Sequence, residues 1–277
     1  MKIDKVGKSV KTSSQYVAFW IQKQKNVKEE TLTDWFLFDT SEKIPCISYK
    51  AFSRHEESRE SGADWEWWVI FDVGAVKFRV QAKKLDASKD CYSSLAYTPR
   101  GRTELQIDRL IDDAHRSHSF PLYAFYVDSG KGTICAGGIV DEGVYISSAK
   151  TIYYSFIASG KNKVLQFDVI GKSIPVSCLF CCPIRINNSG MPLYSVLLHY
   201  FKEAWSDQGD REFSYQNNPE FPGWHDTLPP YVESFIGDTK KIEFDVWERE
   251  FRHNIEGVNS IVAYDLRTDN LDSWKKS

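Results

Sequence analysis

The stretch that most constrains this chain is residues 64–83, where apolar and polar side chains alternate with period two on both sides of Asp72-Val73-Gly74. Alternation sends successive side chains to opposite faces of an extended strand, so the stretch predicts a β-hairpin. With a two-residue loop at Val73-Gly74, Asp64 pairs with Lys83, Glu66 with Gln81 and Trp68 with Arg79, all on one face. The other face holds Trp65, Trp67, Val69 and Phe71 against Ala82, Val80, Phe78 and Val76. That face is wholly apolar and suits packing beneath a helix. A slip of two residues would keep both faces and a slip of one would bury the charges, so parity is specified more strongly than register.

Helical spacing surrounds the hairpin. Ser13 or Ser14 is placed to cap a helix running to about residue 25, with Tyr16, Val17, Trp20 and Ile21 at helical intervals. A second helix begins near Lys28, with Glu29 and Glu30 at its positive end and Leu32, Trp35 and Phe36 on one side. Residues 104–116 read as a helix with Leu105, Leu110, Ile111 and Ala114 inward, and residues 122–127 as a short apolar strand. Helix, hairpin, helix, strand is the order of an α/β layer. Farther on, residues 151–158, 164–170 and 174–182 read as strands, 191–205 as an amphipathic helix, 206–230 as a polar loop and 261–266 as a last strand. The expected organisation is a core in residues 1–130 and a β-rich, then helical, elaboration in 131–277, either separate or completing the same domain.

Composition narrows the function classes. With 42% hydrophobic and 26% charged positions among 277 residues, the chain can bury a core and is not a disordered or collagen-like sequence. No window holds the roughly 18 apolar residues of a membrane span, and residues 1–11 carry four lysines without an apolar stretch; a cytoplasmic protein with no membrane partner is expected. Cysteines 46, 91, 135, 178, 181 and 182 then read as reduced thiols. Cys178 and Cys181, with Cys182 beside them, make half of a zinc site that lacks a second pair; their apolar flanks equally suit a buried strand. Neither a phosphate-binding Gly-x-x-x-x-Gly-Lys-Ser/Thr loop nor a Gly-x-Ser-x-Gly elbow occurs.

The polar face of the hairpin carries more chemistry. Phosphodiester hydrolysis needs divalent cations on the phosphate and positive charge near the developing oxyanion, and Mg²⁺ prefers carboxylate and carbonyl oxygens. Asp64 offers a carboxylate, Gln81 an amide carbonyl and Lys83 an ammonium group; Glu30 is placed to close the site from the second helix, with Glu57 and Glu66 as further metal candidates. Arg79, Lys84, Trp68 and Gln106 are candidate nucleic-acid contacts. The same charges also suit a sheet face of cross-strand ion pairs.

Gly62-Ala63-Asp64 followed across the turn by Gln81-Ala82-Lys83 resembles the PD-(D/E)XK nuclease superfamily in its Gln-x-Lys variant, with Glu30 in the place of the helical glutamate. The longer string Gly62-Ala63-Asp64-Trp65-Glu66-Trp67-Trp68, then Gln81-Ala82-Lys83-Lys84-Leu85, Gln106 with Leu110-Ile111, and Pro121-Leu122-Tyr123, is similar to a family of uncharacterised bacterial proteins assigned to that superfamily. The resemblance spans about residues 28–128. It implies a restriction-endonuclease-like αβββαβ core with a mixed central sheet flanked by helices, and a Mg²⁺ or Mn²⁺ site. It also implies an endonuclease cutting DNA, less often RNA, to 5′-phosphate and 3′-hydroxyl ends, commonly in restriction or anti-phage defence. In that pattern Asp64, Gln81 and Glu30 hold metal and Lys83 orients or activates water. Gln81 is neutral where most members carry an acid. A rival reading is a catalytically inactive nucleic-acid-binding or interaction module on the same fold.

Charge is distributed unevenly. Residues 1–200 hold 26 basic and 22 acidic side chains, whereas residues 201–277 hold 9 and 16. The basic excess lies with the candidate site, as phosphate binding favours. The acidic end is the expected place for autoinhibition or a protein partner, and a regulatory protein or a homo-oligomer is an expected partner of the chain.

Overall fold

In the computed structural model of the protein, the residues described are 3–52, 62–129, 133–135, 138–180, 222–237 and 244–267. The hairpin consists of β2 (Trp65–Phe71) and β3 (Gly74–Lys84). Its faces are those expected, but its register is shifted by two: Glu66 lies opposite Arg79, Trp68 opposite Lys77 and Phe71 opposite Gly74. The loop is therefore Asp72-Val73. The observed pairing sets a carboxylate directly across from a guanidinium, which a Val73-Gly74 loop would not.

Around β2 and β3 a mixed eight-stranded sheet assembles in the order β1 (Ile47–Ala51), β12 (Ser260–Asp265), β2, β3, β5 (Phe120–Tyr126), β8 (Val144–Ser148), β10 (Ile174–Pro175). The short β11 (Trp224–His225) pairs with β3 below the start of β5. Two small pairs stand apart from it: β4 (Cys91–Tyr92) with β9 (Val164–Leu165), and β6 (Thr133–Cys135) with β7 (Gly138–Val140). Strand β12 runs parallel to β2 and separates it from β1. Strands from beyond residue 131 thus lie in the same sheet as the hairpin, and the expected boundary near residue 130 runs through that sheet.

Helices cover both faces. On the apolar hairpin face, Trp65, Trp67, Val69, Val76, Phe78 and Val80 join one core with Val6, Val10, Val17 and Ile21 of α1 (Ile3–Lys23) and Leu32, Phe36 and Leu37 of α2 (Glu29–Lys43). On the other face, Trp68 and Ile70 pack with Ile107 and Leu110 of α3 (Gln106–Arg116), Ile152 of α4 (Ala149–Ile152), and Tyr231, Val232 and Phe235 of the helix Pro230–Gly237. The polar hairpin residues are roofed over: Glu66, Lys77, Arg79, Gln81 and Lys83 are all buried.

Several expectations are corrected. Ser13 and Ser14 sit inside α1, not at its cap; the Ser14 hydroxyl accepts the Val144 N–H at 2.9 Å and so docks β8 on the helix, while Ser13 donates to Asp39 at 2.6 Å. Among the described residues, seven of the twelve strands lie beyond residue 131, interleaved with short helices and not followed by them. Residues 151–158, read as a strand for their β-branched and aromatic side chains, complete α4 and a single π-helical turn, because Ile152, Phe156 and Ile157 bury at helical spacing. Gln166, Val169 and Ile170 do the same in α5 (Gln166–Ile170), where another strand was expected. The strand expected over 174–182 stops at Pro175, and Cys178 is buried beyond it. Cys181, Cys182, the helix expected over 191–205 and most of the expected loop lie outside the described residues. Among the described residues no helix is long and apolar enough to cross a membrane.

The docking of β8 on α1 leaves no room at Gly143, where an added Cβ would lie 2.3 Å from the Ala18 nitrogen and 2.6 Å from the Ser14 carbonyl oxygen. Gly143→Ala is expected to cost about 1–3 kcal/mol through overpacking. At Gly237 a Cβ meets nothing within 4 Å, so Gly237→Ala should leave thermal unfolding unchanged. Paired calorimetric scans of the two variants check this.

Candidate active site

The shifted register brings Asp64 and Gln81 together just before the first residue of β2. The Asp64 N–H donates to the Val80 carbonyl at 2.7 Å. Its Oδ2 accepts from the Ala82 N–H at 2.7 Å and from Gln81 Nε2 at 2.5 Å. Gly62 makes this approach possible: with φ of +76° and a Cβ position only 2.8 Å from the Gln106 carbonyl, only glycine fits where the chain enters β2 against the first turn of α3. That turn supplies Gln106, whose Oε1 accepts from Lys83 Nζ at 2.7 Å and whose Nε2 donates to Gln81 Oε1 at 2.7 Å.

These bonds form a directed chain: Lys83 to Gln106, Gln106 to Gln81, Gln81 to Asp64. An ammonium only donates, so it turns the Gln106 carbonyl toward itself. Gln106 must then offer its N–H₂ to the Gln81 carbonyl, and Gln81 its own N–H₂ to Asp64. The expected role of Gln81 as a carbonyl ligand therefore does not match this orientation; its amide steadies the carboxylate instead.

The second carboxylate comes from Glu29. Its Oε2 accepts the Lys84 N–H at 2.5 Å, and burial holds its pKa above the ordinary carboxylate value. Glu30, expected in this place, is exposed and adds a smaller repulsion on Asp64. Periodicity contains the missed signal: Glu29 continues the buried stripe of Leu32, Thr33, Phe36, Leu37 and Thr40, while Glu30 falls on the outer side with Asp34. Asp64 is pushed up to about 7 by burial first and by Glu29 second, with Lys83 pulling the other way. Tyr123, beside Gln81 on β5, is fully buried, and its phenolic hydroxyl has no hydrogen-bond partner among the described residues. Burial and the nearby Glu29 and Asp64 keep that phenol protonated.

Other expected site residues go elsewhere. Glu66 is fully buried and accepts from Trp68 Nε1 and the Tyr231 hydroxyl, each at 2.6 Å, with Lys77 Nζ at 3.2 Å and Arg79 Nη2 at 3.5 Å. Although burial opposes ionisation, Lys77 and Arg79 hold its carboxyl below the ordinary range. Arg79 is 3% exposed and also pairs with Asp113 at 3.4 Å, so it is not placed to meet a nucleic acid. Neither is Trp68, fully buried against His225 and Tyr231. Lys84 lies at the rim, its Nζ donating to the Lys25 carbonyl at 2.5 Å. Glu57 lies outside the described residues.

Among the described residues no group of three or more His, Cys, Asp or Glu side chains gathers as a metal site. The oxygen donors present are the two neighbouring carboxylates, with an orphaned phenol beside them. Burying two like-charged acids together is costly unless a proton or a cation offsets them, and hard oxygen donors that leave room for water are what Mg²⁺ and Mn²⁺ take. The residues present thus fit a divalent cation.

The fold and site define an α/β protein in which a half-buried carboxylate at the edge of β2 lies near a second on α2 and is linked to a lysine. Across residues 6–267 the sequence matches the family of unknown function DUF6615, and the chain belongs to that family. No curated protein and no solved structure matches it.

Two outcomes follow from these charges. Removing one partner of a buried ion pair strands the others, so Glu66→Gln, which leaves Lys77 without its carboxylate and Arg79 with Asp113 alone, should cost about 3–5 kcal/mol in denaturant unfolding. For Asp64 the folded pKa, about 7, exceeds the ordinary aspartate value of 3.8. Its stabilisation is therefore complete below about 4 and lost as pH rises through 7. Glu142, buried and pushed up to about 7, acts in the same window, so the contribution of Asp64 is the difference between wild type and Asp64→Asn. Thermal midpoints from pH 4 to 8 should fall less in the variant, and added Mn²⁺ should flatten the wild-type curve alone.

Proposed function

We propose that this protein is a divalent-cation-dependent nuclease with a restriction-endonuclease-like core, acting on DNA in preference to RNA. The observation that carries the reading is the linkage of Lys83 through Gln106 and Gln81 to Asp64, with Glu29 beside it. Chain order supports it: leaving aside the short β4, which pairs with β9 outside the main sheet, α2, β1, β2, β3, α3 and β5 follow as αβββαβ, and β3 and β5 are parallel strands joined across α3. Strand β12 is an addition between β1 and β2.

In this reading Asp64 and Glu29 hold Mg²⁺ or Mn²⁺. When bound, the cation supplies Lewis-acid polarisation of the scissile phosphate. Lys83 sits where its ammonium meets charge developing on the phosphate or holds the attacking water by a hydrogen bond. Gln106 fixes the Lys83 side chain, and Gln81 fixes the Asp64 carboxylate. The Tyr123 phenol stays protonated and offers a donor beside the carboxylates. Lys84, with the exposed Lys25 and Lys28 near it, places positive charge at the rim, as a polyanion requires. The biological setting, restriction or anti-phage defence, is proposed from the sequence resemblance.

The test is incubation of the purified chain with plasmid, linear DNA and RNA in Mg²⁺ or Mn²⁺. Cleavage should vanish with chelator, and Lys83→Ala or Asp64→Asn should lower it by about 10²-fold or more. Gln106→Ala should lower it less, because it only positions Lys83. Equal cutting by wild type and both site variants would overturn the assignment; faster cutting of RNA than DNA would overturn the substrate.

A further inference from the structure

Outside the site, the described residues expose an aromatic patch on the outer side of α1 and α2. Tyr16, Phe19 and Phe38 are 48%, 49% and 54% exposed. Tyr16 stacks on Trp35 at 4.6 Å, and Trp20 meets Trp35 edge-on at 5.9 Å. Neither contact buries the patch. Contiguous exposed aromatics of this kind mark interaction surfaces.

The charges beside the patch identify what it fits. Between Lys5 and Lys28 there are six lysines and no acid, and on α1 Lys5, Lys8 and Lys23 are exposed. Helix α2 is the opposite: Glu30, Asp34 and Glu42 are exposed, and its one basic residue, Lys43, is paired with Asp39 at 2.6 Å. The helices run antiparallel, since Ser13 meets Asp39 while Trp20 meets Trp35. A surface with an aromatic centre, a basic edge and an acidic edge is complementary to itself. A two-fold axis along the groove between the helices lays α1 of each copy over α2 of the other, aromatics against aromatics and lysines against carboxylates, with Lys8 level with Glu42. A polyanion, by contrast, would meet the acidic edge of α2.

We infer that this chain forms a two-fold homodimer through the outer faces of α1 and α2. Such an axis keeps the two α2 helices parallel, so both Glu29 residues lie at the same end of the dimer. If the hydrolytic reading holds, two sites then face one polyanion. The dimer itself does not depend on that reading, and its test reads mass rather than cleavage.

Sedimentation equilibrium of the full chain should give twice the 31.9 kDa of one chain. Phe19→Ser with Phe38→Ser, checked for an unchanged circular dichroism spectrum, should weaken association at least about tenfold. At low salt Lys8→Glu and Glu42→Lys should each weaken it, and an equimolar mixture of the two should recover a dimer, because each mutated edge then meets its opposite. A single-chain mass for wild type up to about 100 µM, near the weak limit for specific association, would overturn the inference. So would a dimer that all four substitutions leave intact. A monomer whose binding of a labelled single-stranded oligonucleotide is lost in Phe19→Ser would assign the patch to nucleic acid and overturn it as well.

Discussion

Glu66 holds the centre of this molecule. Its fully buried carboxylate sits between Lys77 and Arg79 of the facing strand and accepts from Trp68 and Tyr231. A lone carboxylate in that position would be prohibitively costly, so its partners must arrive together. Arg79 opposite Glu66 sets the register of β2 against β3. Tyr231 ties the helix Pro230–Gly237 onto the polar face and closes it from water. With the register set, Asp64 falls opposite Gln81 and not Lys83, and the rest of the site follows.

Closing that face changes the chemistry of its residues. On an open sheet Asp64 would titrate as an ordinary carboxylate. Enclosed by α2 and α3 beside Glu29, it rises to about 7. Groups perturbed by burial and by a like charge concentrate at functional sites, because each state they adopt is stabilised by something that binds: a proton at low pH, a cation above it. The amide pair Gln106–Gln81 transmits the direction of the Lys83 ammonium to the Asp64 carboxylate, holding three side chains in one arrangement.

What was legible in the sequence was what local periodicity encodes. Period two named both hairpin faces and placed Asp64, Gln81 and Lys83 together, because an even slip in register leaves the faces intact. Glu30 came from the superfamily resemblance and not from periodicity; the stripe of Leu32, Thr33, Phe36 and Leu37 continues through Glu29 and leaves Glu30 on the outer side. Residues 151–158 misled because β-branched and aromatic side chains favour strands only where a sheet edge receives them. The last strand was legible over 261–266, but neither its insertion between β1 and β2 nor the reach of Tyr231 to Glu66, 165 positions away, leaves a local mark. Trp68 was misread for the same reason: the elements that bury it come from the far end of the chain.

In the proposed cation site, Asp64 and Glu29 hold the ion and Lys83, Gln106 and Gln81 keep the carboxylate in place. Isothermal titration of Mn²⁺ into wild type, Asp64→Asn, Glu29→Gln and Glu30→Gln tests it without any substrate. The account predicts binding by wild type and Glu30→Gln, and its loss in Asp64→Asn and Glu29→Gln. Absence of Mn²⁺ binding by the wild type, or loss in Glu30→Gln with retention in Glu29→Gln, would contradict it.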